Sequence, residues 1–219
     1  MGKLRIMTAE VDTSRVNEEL SNASPKEIIR WALDFAPGNA ICSTNFRPYE
    51  SVILHMVTEL CPDIPIVWVD SGVMLPETYN FADKLTKLLN LNLKVFNPEM
   101  TEARRHALFG PIPSVDDIDA FNRFSRSVKL DPFQRALKSL KPKVWITAIR
   151  RDQTQFRQSL NIISHADDSD LLKVAPLFDW NESDLEAYLE KHSLPNEKIY
   201  YDPVKANEKR ECGLHTNNA

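Results

Sequence analysis

A cysteine near the end of the chain has the neighbours of a reactive thiol. Lys209 and Arg210 come just before Cys212, and His215 follows three residues after it. Because positive charge favours the thiolate, which is the form that attacks electrophiles, this spacing makes Cys212 a candidate nucleophile. The alternative is an exposed thiol without a chemical role near a chain end. The spacing by itself does not separate these two interpretations.

A second group of residues suited to chemistry is cationic. Arg150, Arg151 and Arg157 follow the apolar run from Val144 to Ala148, which we predict to be a strand. Guanidinium groups donate hydrogen bonds in a fork and stay charged at all relevant pH values, so they suit phosphate or sulfate. The same arginines also fit an exposed loop in which they pair with Asp152 and its neighbours. Both interpretations stay open on the sequence pattern alone.

Small polar residues end another predicted strand. Ser43, Thr44 and Asn45 lie between an apolar run at 39–43 and a helical pattern from Tyr49 to Leu60. Backbone N–H groups at the N-terminus of a helix can hold a phosphate. Such residues also cap helices of every kind, so the signal is weak. The loop is neither a Walker A loop nor a dinucleotide-binding glycine motif.

Strand-like runs and helical patterns alternate along most of the chain. Ser24-Pro25-Lys26-Glu27 predicts a capping box that opens a helix. The candidate strands are 39–43, 64–69, 93–96, 144–148 and 171–175. This alternation predicts a three-layer α/β fold, with a mostly parallel five-stranded sheet and helices on both faces. Ligands bind beyond the carboxyl ends of such strands, which places Ser43 to Asn45 and Asp70 to Gly72 along one rim.

Composition narrows the class of protein. The chain has 219 residues and a formal net charge of -4, so we expect one α/β domain that binds neither nucleic acid nor an anionic membrane surface. We predict a polar N-terminal extension at 1–22, a nucleotide-binding domain at 23–195, and a flexible C-terminal tail at 196–219 that carries the cysteine. No run approaches the roughly 20 apolar residues of a membrane span, so we expect a cytoplasmic protein.

Longer stretches of the sequence resemble the phosphoadenosine phosphosulfate reductases, which reduce activated sulfate to sulfite. The resemblance rests on DSG…PET at 70–78, on WITAIRRDQTQFR at 145–157, and on KRECGLH at 209–215, with further similar segments from about residue 25 to residue 195. The family has the adenine nucleotide alpha-hydrolase type of fold, with a parallel five-stranded sheet between two layers of helices. The resemblance therefore implies the same architecture as the alternation of elements.

The resemblance also implies roles for individual residues. The loop after the first strand would hold a phosphate of the nucleotide, the DSG turn would lie against the adenosine, and the arginines would bind the phosphosulfate. A lysine further along the chain would contact the substrate, and the cysteine would be the nucleophile. The residues implied are Ser43, Thr44, Asn45, Phe46, Asp70, Ser71, Gly72, Lys129, Arg150, Arg151, Arg157, Cys212 and His215.

The implied reaction needs no bound cofactor. Cys212 would attack the sulfur of phosphoadenosine phosphosulfate, and reduced thioredoxin or glutaredoxin would then release sulfite. Cys42, Cys61 and Cys212 are dispersed along the chain and form no C-x-x-C pair, so we expect no metal site and no iron–sulfur cluster. Relatives that act on adenosine phosphosulfate typically carry paired cysteines for a cluster, which favours the substrate with the extra phosphate. The family is commonly homodimeric, so the resemblance implies a homodimer.

Two departures from the family pattern leave alternatives open. The connection from Pro195 to Lys209 is shorter than the family's usual arm, and Arg47-Pro48-Tyr49-Glu50 replaces smaller, less charged residues after the phosphate loop. The alternatives are an adenosine phosphosulfate reductase without a cluster, and a nucleotide-binding relative whose turnover is impaired by the shortened arm. An ATP pyrophosphatase-type nucleotidyl transferase is a third possibility, but the loop from Ser43 to Tyr49 lacks the S-G-G-x-D-S pattern of those enzymes.

Overall fold

The computed structural model describes residues 11–166 and 169–204. The helices of this part are α1 Thr13–Leu20, α2 Pro25–Phe35, α3 Glu50–Leu60, α4 Pro76–Leu89, α5 Glu102–Phe109, α6 Ile118–Ser125, α7 Asp131–Leu140, α8 Gln155–Gln158 and α9 Glu182–Lys191. A π-helical turn at Arg126–Leu130 joins α6 to α7, and a short 3-10 helix lies at Arg151–Gln153. The strands are β1 Ala40–Thr44, β2 Ile66–Val69, β3 Leu93–Phe96, β4 Val144–Ile146, β5 Ile163–His165 and β6 Leu172–Val174.

The strands form one mostly parallel sheet in the order β3-β2-β1-β4-β6-β5. β1 lies in the middle, where Cys42 is in register with Ile66 of β2 and with Ile146 of β4. The five predicted strands are all present and run parallel to one another, so the predicted mostly parallel sheet is confirmed. The predicted number of strands is corrected, because β5 adds a sixth strand, antiparallel to β6, at one edge. Its three residues include polar Ser164 and His165, and so short a run gave no strand pattern.

The two faces of the sheet are both covered, as alternation along the strands requires. In β1, Cys42 faces a large apolar cluster that contains residues of α2, α3, α4 and α9. Its neighbour Ile41 faces a smaller cluster that contains Phe133 and Ala136 of α7. The three-layer α/β architecture is therefore confirmed.

Helix α2 shows how local sequence sets these elements. Ser24 and Glu27 form the predicted capping box, in which the Ser24 N–H donates to Glu27 Oε2 at 2.8 Å. Pro25 occupies the first turn, where its missing N–H costs nothing. Ile28, Ile29 and Ala32 then face the core at helical spacing.

Both predicted extensions contact the domain through residues that the structure describes. In α1, the Asn17 side chain donates to Ile163 O and accepts from Ile163 N, each at 2.8 Å, so this helix docks on β5. After α9, Asn196 Oδ1 accepts from the Tyr49 N–H at 2.8 Å, and Val204 packs with Phe124 and Val128. The division of the chain at residues 22 and 195 stays a prediction.

Candidate functional site

A small polar pocket lies at the carboxyl ends of β1 and β4, the two central strands. Its lining includes Ser43, Thr44, Asn45, Lys129, Thr147 and Arg157. These side chains come from β1 and the loop after it, from the π-helical turn, from the end of β4, and from α8. The structure thus brings five of the predicted site residues together. The open space among them measures about 40 Å³, which is far below the roughly 300–1,000 Å³ of small-molecule sites.

The loop after β1 already binds an anionic group of the chain itself. Glu50, the first residue of α3, is 4% exposed, and its Oε2 accepts from the Asn45 N–H at 2.8 Å and the Phe46 N–H at 3.0 Å. The Thr44 hydroxyl donates to the same oxygen, and Arg47 Nε donates to Oε1 at 3.1 Å. The backbone donors expected to hold phosphate therefore hold a carboxylate at the N-terminus of a helix, where negative charge is favoured.

Ser43 and Phe46 take part in packing around this loop. Ser43 Oγ accepts a hydrogen bond from Trp145 Nε1 at 2.7 Å, which ties the end of β1 to β4. Phe46 is 1% exposed, with a φ of 54°, and its ring lies edge-on against Trp68. Phe46 thus holds the loop through its packing in the core, while Ser43 lines the pocket.

The predicted arginines have different surroundings. Arg157 is 1% exposed, lines the pocket and donates to Gln153 Oε1. The Arg150 side chain is 12% exposed and lies 3.3 Å from Asp152, and burial lowers the pKa of its guanidinium. Arg150 Nη1 is buried without a hydrogen-bond partner among the described residues. Arg151 is exposed, where it pairs with Asp179 and stacks over Phe178 outside the pocket lining.

Lys129 is held by the segment that follows α9. Its Nζ donates to Asp202 Oδ2 at 2.5 Å, and both side chains are buried. Tyr200 stands between this pair and the loop after β1, because Asn45 Nδ2 donates to the Tyr200 hydroxyl at 3.1 Å. Burial raises the pKa of Tyr200, so its hydroxyl stays protonated. The lysine and the loop are therefore linked through the chain that leads toward Cys212.

The predicted turn Asp70 to Gly72 lies at the same rim, and one of its residues, Ser71, lines a different cavity. Asp70 Oδ1 accepts from the Gly72 N–H and from the Tyr79 hydroxyl, each at 2.8 Å, and the φ of 80° at Gly72 suits glycine. Ser71 lines a second cavity of about 680 Å³, together with Glu102, Arg105 and residues of α6 and α7. Within the described ranges, Ser71 Oγ is buried without a partner.

Two predicted residues, Cys212 and His215, lie outside the described residues. Of the two cysteines that the structure does describe, Cys42 is fully buried, and burial raises the pKa of its thiol, which disfavours the thiolate; Cys61 is half-buried. In residues 11–166 and 169–204, no group of three or more His, Cys, Asp or Glu side chains is placed to hold a metal ion. The helices of the same part are each too short or too polar to cross a membrane.

Residue patterns missed several side chains that shape the pocket. Thr147 lies in the run predicted as a strand and has no motif of its own. Tyr200 and Asp202 contact the pocket residues Asn45 and Lys129 from a distant part of the chain, so neither gave a local signal. Thr147 Oγ1 is buried without a partner in the described part of the chain, and it lines the pocket. Glu50 was noted only as an unusual charge, although an acidic residue in the first turn of a helix is a recognisable capping signal.

Comparison with known proteins identifies the group of enzymes to which this arrangement belongs. A model of the phosphoadenosine phosphosulfate reductase domain matches residues 39–204, which include every pocket residue named above. This chain belongs to the phosphoadenosine phosphosulfate reductase family. The family's adenine nucleotide alpha-hydrolase-like fold agrees with the sheet and its two helical layers.

Individual relatives cover nearly the whole chain. The phosphoadenosine 5'-phosphosulfate reductase of Synechocystis sp. is 37% identical over 230 residues, covering 94% of this chain and 91% of that protein. The enzyme of the same name from Alkalilimnicola ehrlichii is 34% identical and covers 91% of this chain and 89% of that protein. Membership of the family thus extends beyond the domain core.

Solved structures give the same placement. The phosphate complex of phosphoadenylyl-sulfate reductase from Candida auris has a TM-score of 0.72 and 25% identity, and the match covers 84% of this chain and 86% of that one. FMN adenylyltransferase from Candida glabrata has a TM-score of 0.59 at 17% identity, covering 88% of this chain and 61% of that one, and shows likeness of fold alone.

Proposed function

We propose that this protein reduces phosphoadenosine phosphosulfate to sulfite and adenosine 3',5'-bisphosphate in sulfate assimilation. The observation that carries the proposal is the pocket in which Lys129, Arg157 and Thr147 converge at the ends of the central strands of a phosphoadenosine phosphosulfate reductase fold. Buried cationic donors suit a phosphosulfate group. Arg150 follows strand β4 but does not line this pocket, and its Nη1 is buried without a partner among the described residues.

The proposed substrate contacts are those expected from the sequence. Ser43, Thr44, Asn45 and Phe46 form or support the wall of the pocket toward the nucleotide, and Asp70, Ser71 and Gly72 face the adenosine. The phosphosulfate end is bound by Lys129, Arg150, Arg151 and Arg157. Arg151 is exposed and therefore contacts the substrate from the solvent side. His215 accompanies the cysteine in the tail.

In the proposed chemistry, the Cys212 thiolate attacks the sulfate sulfur. An S–S bond forms, the bond from sulfur to the bridging oxygen breaks, and adenosine 3',5'-bisphosphate leaves with that electron pair while the arginines balance its charge. A thiol of reduced thioredoxin or glutaredoxin then attacks the cysteine thiosulfonate. Sulfite leaves, and a mixed disulfide is resolved by the donor's second thiol.

Further parts of the proposal concern setting and assembly. We place the reaction in the cytoplasm, in a homodimer, with no bound metal or cluster and with a thioredoxin-type donor. Absorbance spectra and metal analysis test the cofactor, and sedimentation tests the dimer. The short connection after Pro195 is compatible with the chemistry, because Cys212 lies ten positions after Asp202 and an extended chain of that length spans at most about 35 Å.

Sulfite release with reduced thioredoxin, compared between wild type and Cys212→Ser, tests the function. We expect the variant to lose sulfite formation and to keep nucleotide affinity, since the proposed phosphate contacts belong to the sheet rim. Without thioredoxin, wild type is expected to accumulate a sulfonate on Cys212, which intact-mass and peptide spectra detect. Full sulfite release by Cys212→Ser would contradict the nucleophile, and nucleotide binding without adduct or sulfite would favour a binding protein with impaired turnover. If adenosine phosphosulfate is turned over faster than phosphoadenosine phosphosulfate, the substrate without the extra phosphate is favoured.

A further inference from the structure

The segment between α9 and the cysteine tail contacts two residues that line the substrate pocket, Asn45 and Lys129. We call residues 195–204 the connector. Pro195 O accepts from the Ser51 hydroxyl at 2.5 Å at its start, and Val204 packs with Phe124 and Val128 at its end. Between these points Tyr200 contacts Asn45, and Asp202 contacts Lys129. The connector is therefore fixed at the pocket by polar contacts and at its end by apolar ones.

The ion pair between Lys129 and Asp202 is a buried polar contact of the connector. The two side chains are 7% and 3% exposed, and the distance from Nζ to Oδ2 is 2.5 Å. Asp202 Oδ1 also accepts from the Val204 N–H at 3.1 Å, and the Tyr200 hydroxyl lies 3.5 Å from Oδ2. A buried charge without its partner is costly, so the position of the connector depends on this carboxylate.

Lys129 also belongs to the pocket in which the substrate anion is proposed to bind. Its side chain lines that pocket together with Arg157 and Thr147. A phosphosulfate in contact with Nζ and a carboxylate in contact with Nζ would be adjacent anions in a poorly solvated place, and such like charges repel strongly. The pocket's space of about 40 Å³ also leaves no room for a phosphosulfate beside the present side chains.

We propose that Asp202 is a positioning residue that holds the connector on Lys129 until the anionic group of the substrate takes its place. This inference rests on the proposed function. Binding is then an exchange, in which the substrate anion takes over the ammonium and the Asp202 carboxylate moves to water. The chain that leads to Cys212 is released when a substrate is present for the cysteine to attack. Because coupling is reciprocal, loss of the carboxylate must strengthen nucleotide binding.

Asp202→Asn tests the exchange, with adenosine 3',5'-bisphosphate as the probe. The matched control is Asp83→Asn, which removes an exposed carboxylate from its pair with Lys87 on α4. Titration calorimetry should show about tenfold tighter binding for Asp202→Asn than for wild type, because a competing state no longer reduces the fraction able to bind. Asp83→Asn should match wild type, and Asp202→Glu, which keeps the charge, should restore weaker binding.

Hydrogen exchange gives a readout that a purely structural role would not change. In wild type, the backbone amides of Tyr200, Tyr201, Asp202 and Val204 should exchange faster when the bisphosphate saturates the protein. In Asp202→Asn they should exchange fast already without nucleotide. The amides of β1 and β4 serve as the internal reference, since they lie in the centre of the sheet.

The outcomes separate this inference from the proposed function. Equal affinities for wild type and Asp202→Asn, or slow exchange of the connector in nucleotide-saturated wild type, would overturn the inference and leave the function standing. If neither protein binds the bisphosphate, the proposed substrate is wrong, and the proposed displacement of Asp202 from Lys129 by that substrate is wrong as well. Binding by Asp202→Asn alone would support both proposals.

Discussion

The carboxylate of Glu50 determines the local structure of the loop after β1. Two backbone N–H groups, the Thr44 hydroxyl and Arg47 converge on a side chain that is almost fully buried. An external anion is not needed to satisfy these donors. The unusual acidic residue therefore gives the loop a fixed shape before any nucleotide arrives.

Glu50→Ala should lower the free energy of unfolding by about 1–3 kcal/mol, because the N–H groups of Asn45 and Phe46 would be left buried without their acceptor. Urea denaturation measures the change. Glu190→Ala on the exposed side of α9 removes the same charge from solvent and should leave the free energy almost unchanged. Equal stability of the two variants would mean that water replaces the carboxylate at no cost.

Arg150 offers a second test at the scale of one side chain. Arg150→Ala should weaken binding of adenosine 3',5'-bisphosphate by about 1.5–3 kcal/mol, the usual range for a hydrogen bond to a charged group. Titration calorimetry measures it, with Arg30→Ala on the exposed side of α2 as the variant that removes an equal charge far from the pocket. An unchanged dissociation constant in a folded Arg150→Ala protein would assign this arginine to its pair with Asp152 alone.

At the scale of elements, the contact between α3 and α9 contains a titratable group. His55 Nδ1 lies 2.9 Å from the Tyr188 hydroxyl, and the His192 ring stacks on Tyr188. Burial lowers the pKa of His55, and the opposing effect of Glu59 is smaller. The folded protein therefore resists protonation of this imidazole more than the unfolded chain does.

Stability should consequently depend on pH through His55. Because its folded pKa lies below its unfolded one, the stabilisation is complete above about pH 7 and declines as the pH falls through about 6.5, where the unfolded chain takes up the proton. Urea denaturation from about pH 7.5 to about pH 5.5 should show a smaller loss for His55→Gln than for wild type. His165→Gln, at an exposed position on β5, should follow wild type. An identical slope for all three proteins would contradict the role of this contact.

The elements that could be predicted are those whose own residues carry the signal. The capping box of α2, the apolar run of β2 and the periodicity of α3 each specify structure within a few residues. In contrast, α6 was not predicted, and β5 depends on pairing with β6 across a connection, which no local pattern reveals.

The site divides in the same way. Charged groups at predicted strand ends were found because parallel sheets collect such ends on one rim. Asp202 was not found, because its partner Lys129 lies 73 positions earlier in the chain and the sequence gives no measure of that distance in space. Glu50 was visible as a residue, but its role depends on the direction of the loop amides.

For the molecule as a whole, the central strands of the sheet are deeply buried, so we expect stability to depend on them. Ile146 in β4 is fully buried, between β1 on one side and β6 on the other. Ile146→Ala should lower the free energy of unfolding by about 2–5 kcal/mol through lost burial and an unfilled cavity. Ile199→Ala, at a position that is 55% exposed, should cost less than about 0.5 kcal/mol in the same denaturation experiment. Similar losses for both would mean that the centre of the sheet relaxes to fill the space.

The order of the strands also affects how the protein folds while it is being synthesised. β2 follows β1 by about 20 residues, so the two strands are available for pairing early in synthesis. The other edge of β1 pairs with β4, in which Ile146 is in register with Cys42 from about 100 residues away, so this edge has no partner until β4 has been synthesised. During that interval, the middle strand of the finished sheet is an edge strand, with apolar Ile41 and Cys42 on it. A nascent chain that stops before Val144 therefore exposes an aggregation-prone edge. We expect chaperones that bind unpaired apolar strands to act on the chain at this stage.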